Sequence, residues 1–173
     1  MTTKVDGKGN KMGLKVHLTT DGPDVTIAFE GVLDETSQLP ELSDHVKGVL
    51  RLDLENLTLI NSMGIHKWIT WMRQLTNLQG GMILLNCRPV VINQINILRG
   101  FLPDYARVDS FFVPYSCENC GFEEKLLLTR GVDYDDQSQV KYVTEKTCPA
   151  CSGVLDLDIM HQRYFNFINK KSA

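Results

Sequence analysis

Four of the five cysteines stand as two Cys-x-x-Cys pairs, Cys117/Cys120 and Cys148/Cys151, with 27 residues between the pairs. Two intervening residues let both sulfurs of a pair reach one ion from a tight turn. Four thiolates in a tetrahedron suit a closed, structural zinc centre. Gly121 follows the first pair directly and Gly153 follows the second by two residues. Glycine permits the positive φ that aims backbone N–H groups at the sulfurs. The same four-sulfur cage accepts iron, whereas a redox dithiol needs one pair rather than two. Four cysteine ligands leave no coordination position open for catalysis. The expectation is structural Zn2+, or iron, on Cys117, Cys120, Cys148 and Cys151, in a small zinc ribbon whose stability the metal dominates. Cys87 ends an apolar run and reads as a core thiol.

The second place where chemistry is conceivable is "LTLINSMGIHKW", residues 57–68. A strand-like run gives way to a helix at Ser62. That serine is either an ordinary N-cap or a site where charge is added and removed, since the first turn of a helix binds anions. His66 and Lys67, one turn further on, read as an exposed helix face that could steady a phosphate or contact a partner. The four histidines, His17, His45, His66 and His161, fall in separate elements, so no Ser/His/Asp grouping emerges. "DGKGNKMG" lacks the preceding strand of a phosphate loop. The chain is expected not to be an enzyme.

The elements that must position these residues follow from periodicity. "LKVHLT" and "VTIAFEG" alternate apolar and polar residues around the turn "DGPD", which predicts a hairpin. Leu39, Leu42, Val46 and Val49 or Leu50 predict a helix capped by Thr36 or Ser37, with Pro40 in its first turn. "LRLDLENL" returns to period two. Ile65, Trp68, Ile69, Met72 and Leu75 then share a helix face that Gly80-Gly81 ends, with Trp71 off that face as part of a surface patch. "MILLN" predicts a buried strand, Val91, Ile95 and Leu98 another helix, and "ARVDSFFVP" a last strand stopped by Pro114. The order β-β-α-β-α-β-α-β argues for an α/β fold with a mostly parallel or mixed sheet covered by helices. Beyond Pro114, "FEEKLLL" and "QVKYVTE" read as the arms of a hairpin whose tip carries Asp133, Asp135 and Asp136. "VLDLDI" could add a third strand. "MHQRYFNFINKK" reads as a closing helix with Tyr164, Phe165 and Ile168 on its apolar side.

The bulk numbers exclude several classes. The 173 residues are 43% hydrophobic and 23% charged, with a net charge of -3. That is ordinary globular composition. Residues 1–114 carry 11 basic and 12 acidic side chains, and residues 115–173 carry 7 and 9. Neither part is basic, which argues against nucleic-acid binding. No apolar run reaches the roughly 18 residues that span a bilayer. The polar start "MTTKVDGKGNKMG" has no apolar h-region. A short disordered tail (residues 1–13), a first domain (14–113), a cysteine-rich module with a terminal helix (114–173) and a cytoplasmic location are expected.

Four segments carry a resemblance. "LRLDLENLTLINSMGI" resembles the strand, loop and helix start of the STAS family, the anti-sigma factor antagonist domain, where the loop reads Asp-Ser-Ser-Gly. "VTIAFEGVLDETS" resembles the family's second strand with its Gly-x-Leu-Asp. "GGMILLN" is similar to its next strand, and "INILRGFLPDYARVDSF" to its closing helix and last strand. The resemblance covers residues 13–113 and leaves out the cysteine-rich tail. It implies a STAS-like mixed sheet and a partner-switching regulator. In such a regulator a serine kinase, itself the anti-sigma factor, phosphorylates the loop serine. The unphosphorylated form sequesters that kinase, and a phosphatase resets the switch. By resemblance the acceptor is Ser62. Asn61 stands where the family has aspartate, Met63 where it has a second serine, and Gly64 at the family's glycine. Asp34 matches an acidic residue near the phosphosite. Asp34, Asn61, Met63, Gly64, His66 and Lys67 are the expected partner contacts. A phosphate on Ser62 would add about 1.5 to 2 negative charges at a helix start. Two other readings remain: an unphosphorylated STAS scaffold or adaptor that makes protein contacts through the zinc ribbon, and a small-ligand or nucleotide-binding STAS domain.

Overall fold

The computed structural model describes residues 13–42, 46–75, 78–135, 140–142, 144–159 and 161–169. The expected tail, apart from Gly13, lies outside them, as do His45 and Asp136.

Strands β1 (Lys15–Asp21) and β2 (Asp24–Leu33) form the expected hairpin, turning through Gly22 at φ 57°. Strands β3 (Leu50–Ile60), β4 (Met82–Leu85) and β5 (Ala106–Val108) follow parallel to β2, giving the order β1-β2-β3-β4-β5. Val25, Ile27, Phe29 and Leu33 alternate with half-buried neighbours along β2, as a strand with one core face requires. Helices α1 (Ser62–Gln74) and α2 (Pro89–Ile97) supply the rest of that core. Trp68 stacks on Phe101 at 5.5 Å, meets Phe29 edge-on at 5.7 Å, and donates its indole N–H to the Phe101 carbonyl. Pro89 opens α2, where its missing N–H breaks no helical bond.

The helix expected over residues 37–50 is absent among the described residues: 37–42 and 46–49 adopt no helix. Polar side chains from elsewhere take over the backbone groups that a helix would use. Lys67 Nζ donates to the Ser37 carbonyl, the Trp71 indole to the Pro40 carbonyl, and Val49 N–H to Asp24 Oδ1. Trp71 is therefore not a surface residue. It is 5% exposed, with its ring 5.5 Å from Trp68 and 5.9 Å from Phe29. Helix α1 itself stops at Gln74, before the glycine pair.

The strand expected over "ARVDSFFVP" splits at Asp109. β5 closes the first sheet, and β6 (Ser110–Ser116) begins a second, antiparallel one. That sheet contains β7 (Glu123–Thr129), β8 (Glu145–Thr147) and β9 (Val154–Leu157) in the order β7-β6-β9-β8. Pro114 does not stop β6. Within a strand, a residue's N–H and carbonyl face the same neighbour, and the Pro114 carbonyl accepts from Asp158, on the β9 side. The missing N–H therefore leaves the β7 pairing intact and falls at the end of the β9 ladder, beyond its Tyr115 and Ser116 pairs. The expected hairpin of "FEEKLLL" with "QVKYVTE" is also absent among the described residues: β7 pairs along its whole length with β6. The closing helix is broken into α3 (His161–Tyr164) and α4 (Asn166–Asn169). Phe111 lies among Tyr134, Tyr164, Phe165 and Phe167 at centroid distances of 5.0–6.2 Å, so the apolar core runs on from the first sheet into the second.

Candidate functional sites: a four-cysteine centre and the Ser62 loop

The two Cys-x-x-Cys turns share one backbone plan. In the first, Gly121 N–H donates to the Cys117 carbonyl and Cys117 N–H to the Phe122 carbonyl. In the second, Ser152 N–H donates to the Cys148 carbonyl and Cys148 N–H to the Gly153 carbonyl. The left-handed position is the fourth residue after the first cysteine in both turns. It is Gly121 at φ 74° in one and Ser152 at φ 60° in the other. Gly153, expected to supply the left-handed turn, does something else. A Cβ there would sit 3.2 Å from Cys151 Sγ, so its bareness makes room for the sulfur cluster.

The turns bring all four Sγ atoms within 4.8 Å of one another. Cys117 and Cys151 are 3.6 Å apart, Cys120 and Cys148 3.7 Å. Tetrahedral thiolates on an ion at about 2.3 Å lie about 3.8 Å from each other, so the four cysteines are close enough to hold one metal ion. Cys117 and Cys148 are buried, Cys151 is half-buried and Cys120 is exposed. Asn119 contributes from a position that the motif leaves unspecified. It belongs to the first turn, yet its Nδ2 donates to the Cys151 sulfur of the second at 3.3 Å. That bond, together with the Gly153 N–H, holds the Cys151 thiol down to about 6. Cys87 is fully buried, and desolvation pushes its thiol well above the ordinary range, as befits an inert core residue.

At the Ser62 loop the cap is Asn61, not the serine. Asn61 Oδ1 accepts the Gly64 N–H at 2.8 Å, and Asn61 Nδ2 donates to Glu35 at 2.8 Å. Ser62 is the first helical residue and is exposed, and Met63 beside it is 55% exposed. Gly64 is buried, and a Cβ at this position would lie 2.0 Å from the Leu33 carbonyl oxygen. That same oxygen accepts the Asn61 N–H, so the helix start rests directly on the end of β2. Lys67 ties the next turn to the residue 34–37 loop through Ser37, while His66 is exposed. Asp34 belongs to this neighbourhood but is 3% exposed. Its Oδ1 accepts from Thr36 N–H, Thr36 Oγ1 and Ser37 Oγ, which shapes the loop from within.

Of the residues singled out by sequence, the four cysteines converge. Asn61, Ser62, Met63, Gly64, His66 and Lys67 share one helix start, with Asp34 beneath the adjoining loop. Asn119, Glu35 and Ser152 were not foreseen. An amide inside a Cys-x-x-Cys turn was the available signal for Asn119. Of the acidic tip, Asp135 is exposed, and Asp133 is half-buried and accepts the Thr129 N–H within its own turn. No described helix is long and apolar enough to cross a membrane. The sequence matches no protein-family model and no curated protein.

Proposed function

We propose that this chain is a protein-binding regulatory module of STAS type, switched by phosphorylation of Ser62, with a zinc ribbon as its structural companion. The partner in this reading is a serine kinase that acts as an anti-sigma factor, and a phosphatase removes the phosphate. The observation that carries the reading is the exposed Ser62 hydroxyl at the first position of α1, outside the capping bond that Asn61 makes, with the exposed Met63 beside it. A phosphate there meets the favourable end of the helix dipole and puts charge into a surface patch without disturbing the buried Gly64 contact. The residues around it divide into supports and contacts. Asn61, Gly64 and Asp34 hold the loop, and Met63 and His66 face outward to a partner. Zinc fits the four sulfurs as a closed site that supplies folding energy and no catalysis.

The test is capture of a candidate anti-sigma serine kinase from the same organism, using wild-type, Ser62→Ala and Ser62→Asp protein. The reading expects Ser62→Ala to retain the kinase, Ser62→Asp to lose it, and the kinase to phosphorylate wild type but not Ser62→Ala. Equal capture by all three proteins with no phosphate transfer refutes it. Elemental analysis of purified protein decides between zinc and iron. A second reading, an unswitched scaffold, draws on the Asn61 cap, which already occupies one of the amide donors an anion would use. Capture unaffected by Ser62→Asp favours it.

A further inference from the structure

Strand β1 forms an outer edge of the first sheet, and among the described residues only β2 pairs with it. Seven residues long, it contains no proline and no bulge; its register with β2 runs unbroken from Lys15 opposite Glu30 to Asp21 opposite Asp24. Such edges are open to a further strand. A two-residue turn closes the hairpin, which makes Asp21 and Asp24 a hydrogen-bonded pair. Alternation then directs the backbone polar groups of Lys15, His17, Thr19 and Asp21 toward β2. Those of Val16, Leu18 and Thr20 face the open edge. Leu18 lies opposite the fully buried Ile27, yet is itself 48% exposed.

We infer that the partner of this edge is a second copy of the same strand, paired antiparallel about a two-fold axis at Leu18. A two-fold contact must be self-complementary, and β1 is. In this register the outward-facing Val16, Leu18 and Thr20 meet Thr20, Leu18 and Val16 of the second copy, so hydrogen-bonding groups face each other. Leu18 covers Leu18. Lys15 falls opposite Asp21 at both ends, and His17 opposite Thr19. Lys15 already holds Glu30 at 2.7 Å across β2, so each end becomes a row with lysine between two carboxylates. Sliding by two residues in either direction keeps the backbone parity but separates Lys15 from Asp21. One of those slips also sets His17 against His17. Charge thus selects the register, and the two five-stranded sheets join into one.

The contact is short, so it belongs with weak, concentration-dependent interfaces. Sedimentation of the 173-residue chain, purified with zinc present, over a dilution series is expected to show a dimer that dissociates in the micromolar range, about 10⁻⁶–10⁻⁴ M. Leu18→Pro removes an N–H that faces away from β2 and is expected to give a folded monomer. Asp21→Lys sets like charges opposite each other at both ends and is expected to weaken the dimer about tenfold. Lys15→Asp combined with Asp21→Lys is expected to restore it. A wild type that stays monomeric at the highest concentration overturns the inference. So does a dimer indifferent to Asp21→Lys, or one not recovered by the double exchange.

Discussion

Gly64→Ala tests the geometry of the Ser62 loop with opposed signs. By helix propensity alone the change stabilises, because alanine is favoured over glycine by about 1 kcal/mol in a helix interior. The tertiary contact says the reverse. The new methyl would stand 2.0 Å from the Leu33 oxygen and 2.6 Å from the Leu33 carbonyl carbon, where side chains keep at least 3.0 Å. Both neighbours are backbone, so relief requires the helix start or the end of β2 to move by about 1 Å. The same movement stretches the Gly64 to Asn61 cap and the Asn61 to Leu33 bond. Overpacking of this kind costs about 1–3 kcal/mol and a lost cap about 1 kcal/mol. After the propensity gain is subtracted, the variant is destabilised by about 2 kcal/mol, or about 4–8 °C in Tm for a chain of this size. Urea unfolding followed by circular dichroism, with metal kept saturating, measures it. Ser62→Ala, at the exposed neighbouring position, serves as the control and is expected to stay within about 0.5 kcal/mol of wild type. A Gly64→Ala protein as stable as wild type would refute the close approach of α1 to β2.

Two further predictions concern the four-cysteine centre and the first hairpin. Asn119→Ala removes the donor to Cys151 and is expected to weaken metal retention about tenfold in competition with a chromophoric chelator, the usual scale for a group that orients a ligand. Unchanged affinity would show that the amide only fills space. Asp24 is held below its ordinary value of 3.8 by the Arg51 side-chain hydrogen bond and then by the Val49 N–H. A carboxylate lowered in the fold adds stability above its unfolded value and loses that addition as pH falls through the folded one. The stability gap between wild type and Asp24→Asn should therefore be full near neutrality and close below about pH 4, as read from paired denaturation curves; a gap independent of pH would refute it.

Much of the architecture was legible because it rests on local patterns. The Asp21–Asp24 turn, the alternation from Val25 to Phe29 and the helical spacing of Trp68 and Met72 each bury one face, and the observed elements obey them. Residues 37–50 show where that logic fails. Leu39, Leu42 and Val46 do carry helical spacing, but propensity is worth only tenths of a kcal/mol per residue. Lys67 and the Trp71 indole, more than 25 positions away in the chain, take the carbonyls instead. Trp71 was misplaced for the same reason. Its cover is this irregular loop, which periodicity does not reveal.

The sequence alone marked the four cysteines that come together, because two Cys-x-x-Cys pairs are a local constraint on which sulfurs can share an ion. It also marked Ser62 as the point where strand becomes helix. Only the tertiary structure decided how those sites are built. It gives the left-handed position to Ser152 rather than to Gly153, brings Asn119 across to the opposite turn's sulfur, and makes Asn61 the cap that leaves Ser62 exposed. It also makes Gly64 a matter of contact with the Leu33 carbonyl. Each of these depends on the distance between segments far apart in the chain. A one-dimensional pattern carries the periods of its own elements and not the approach of one element to another.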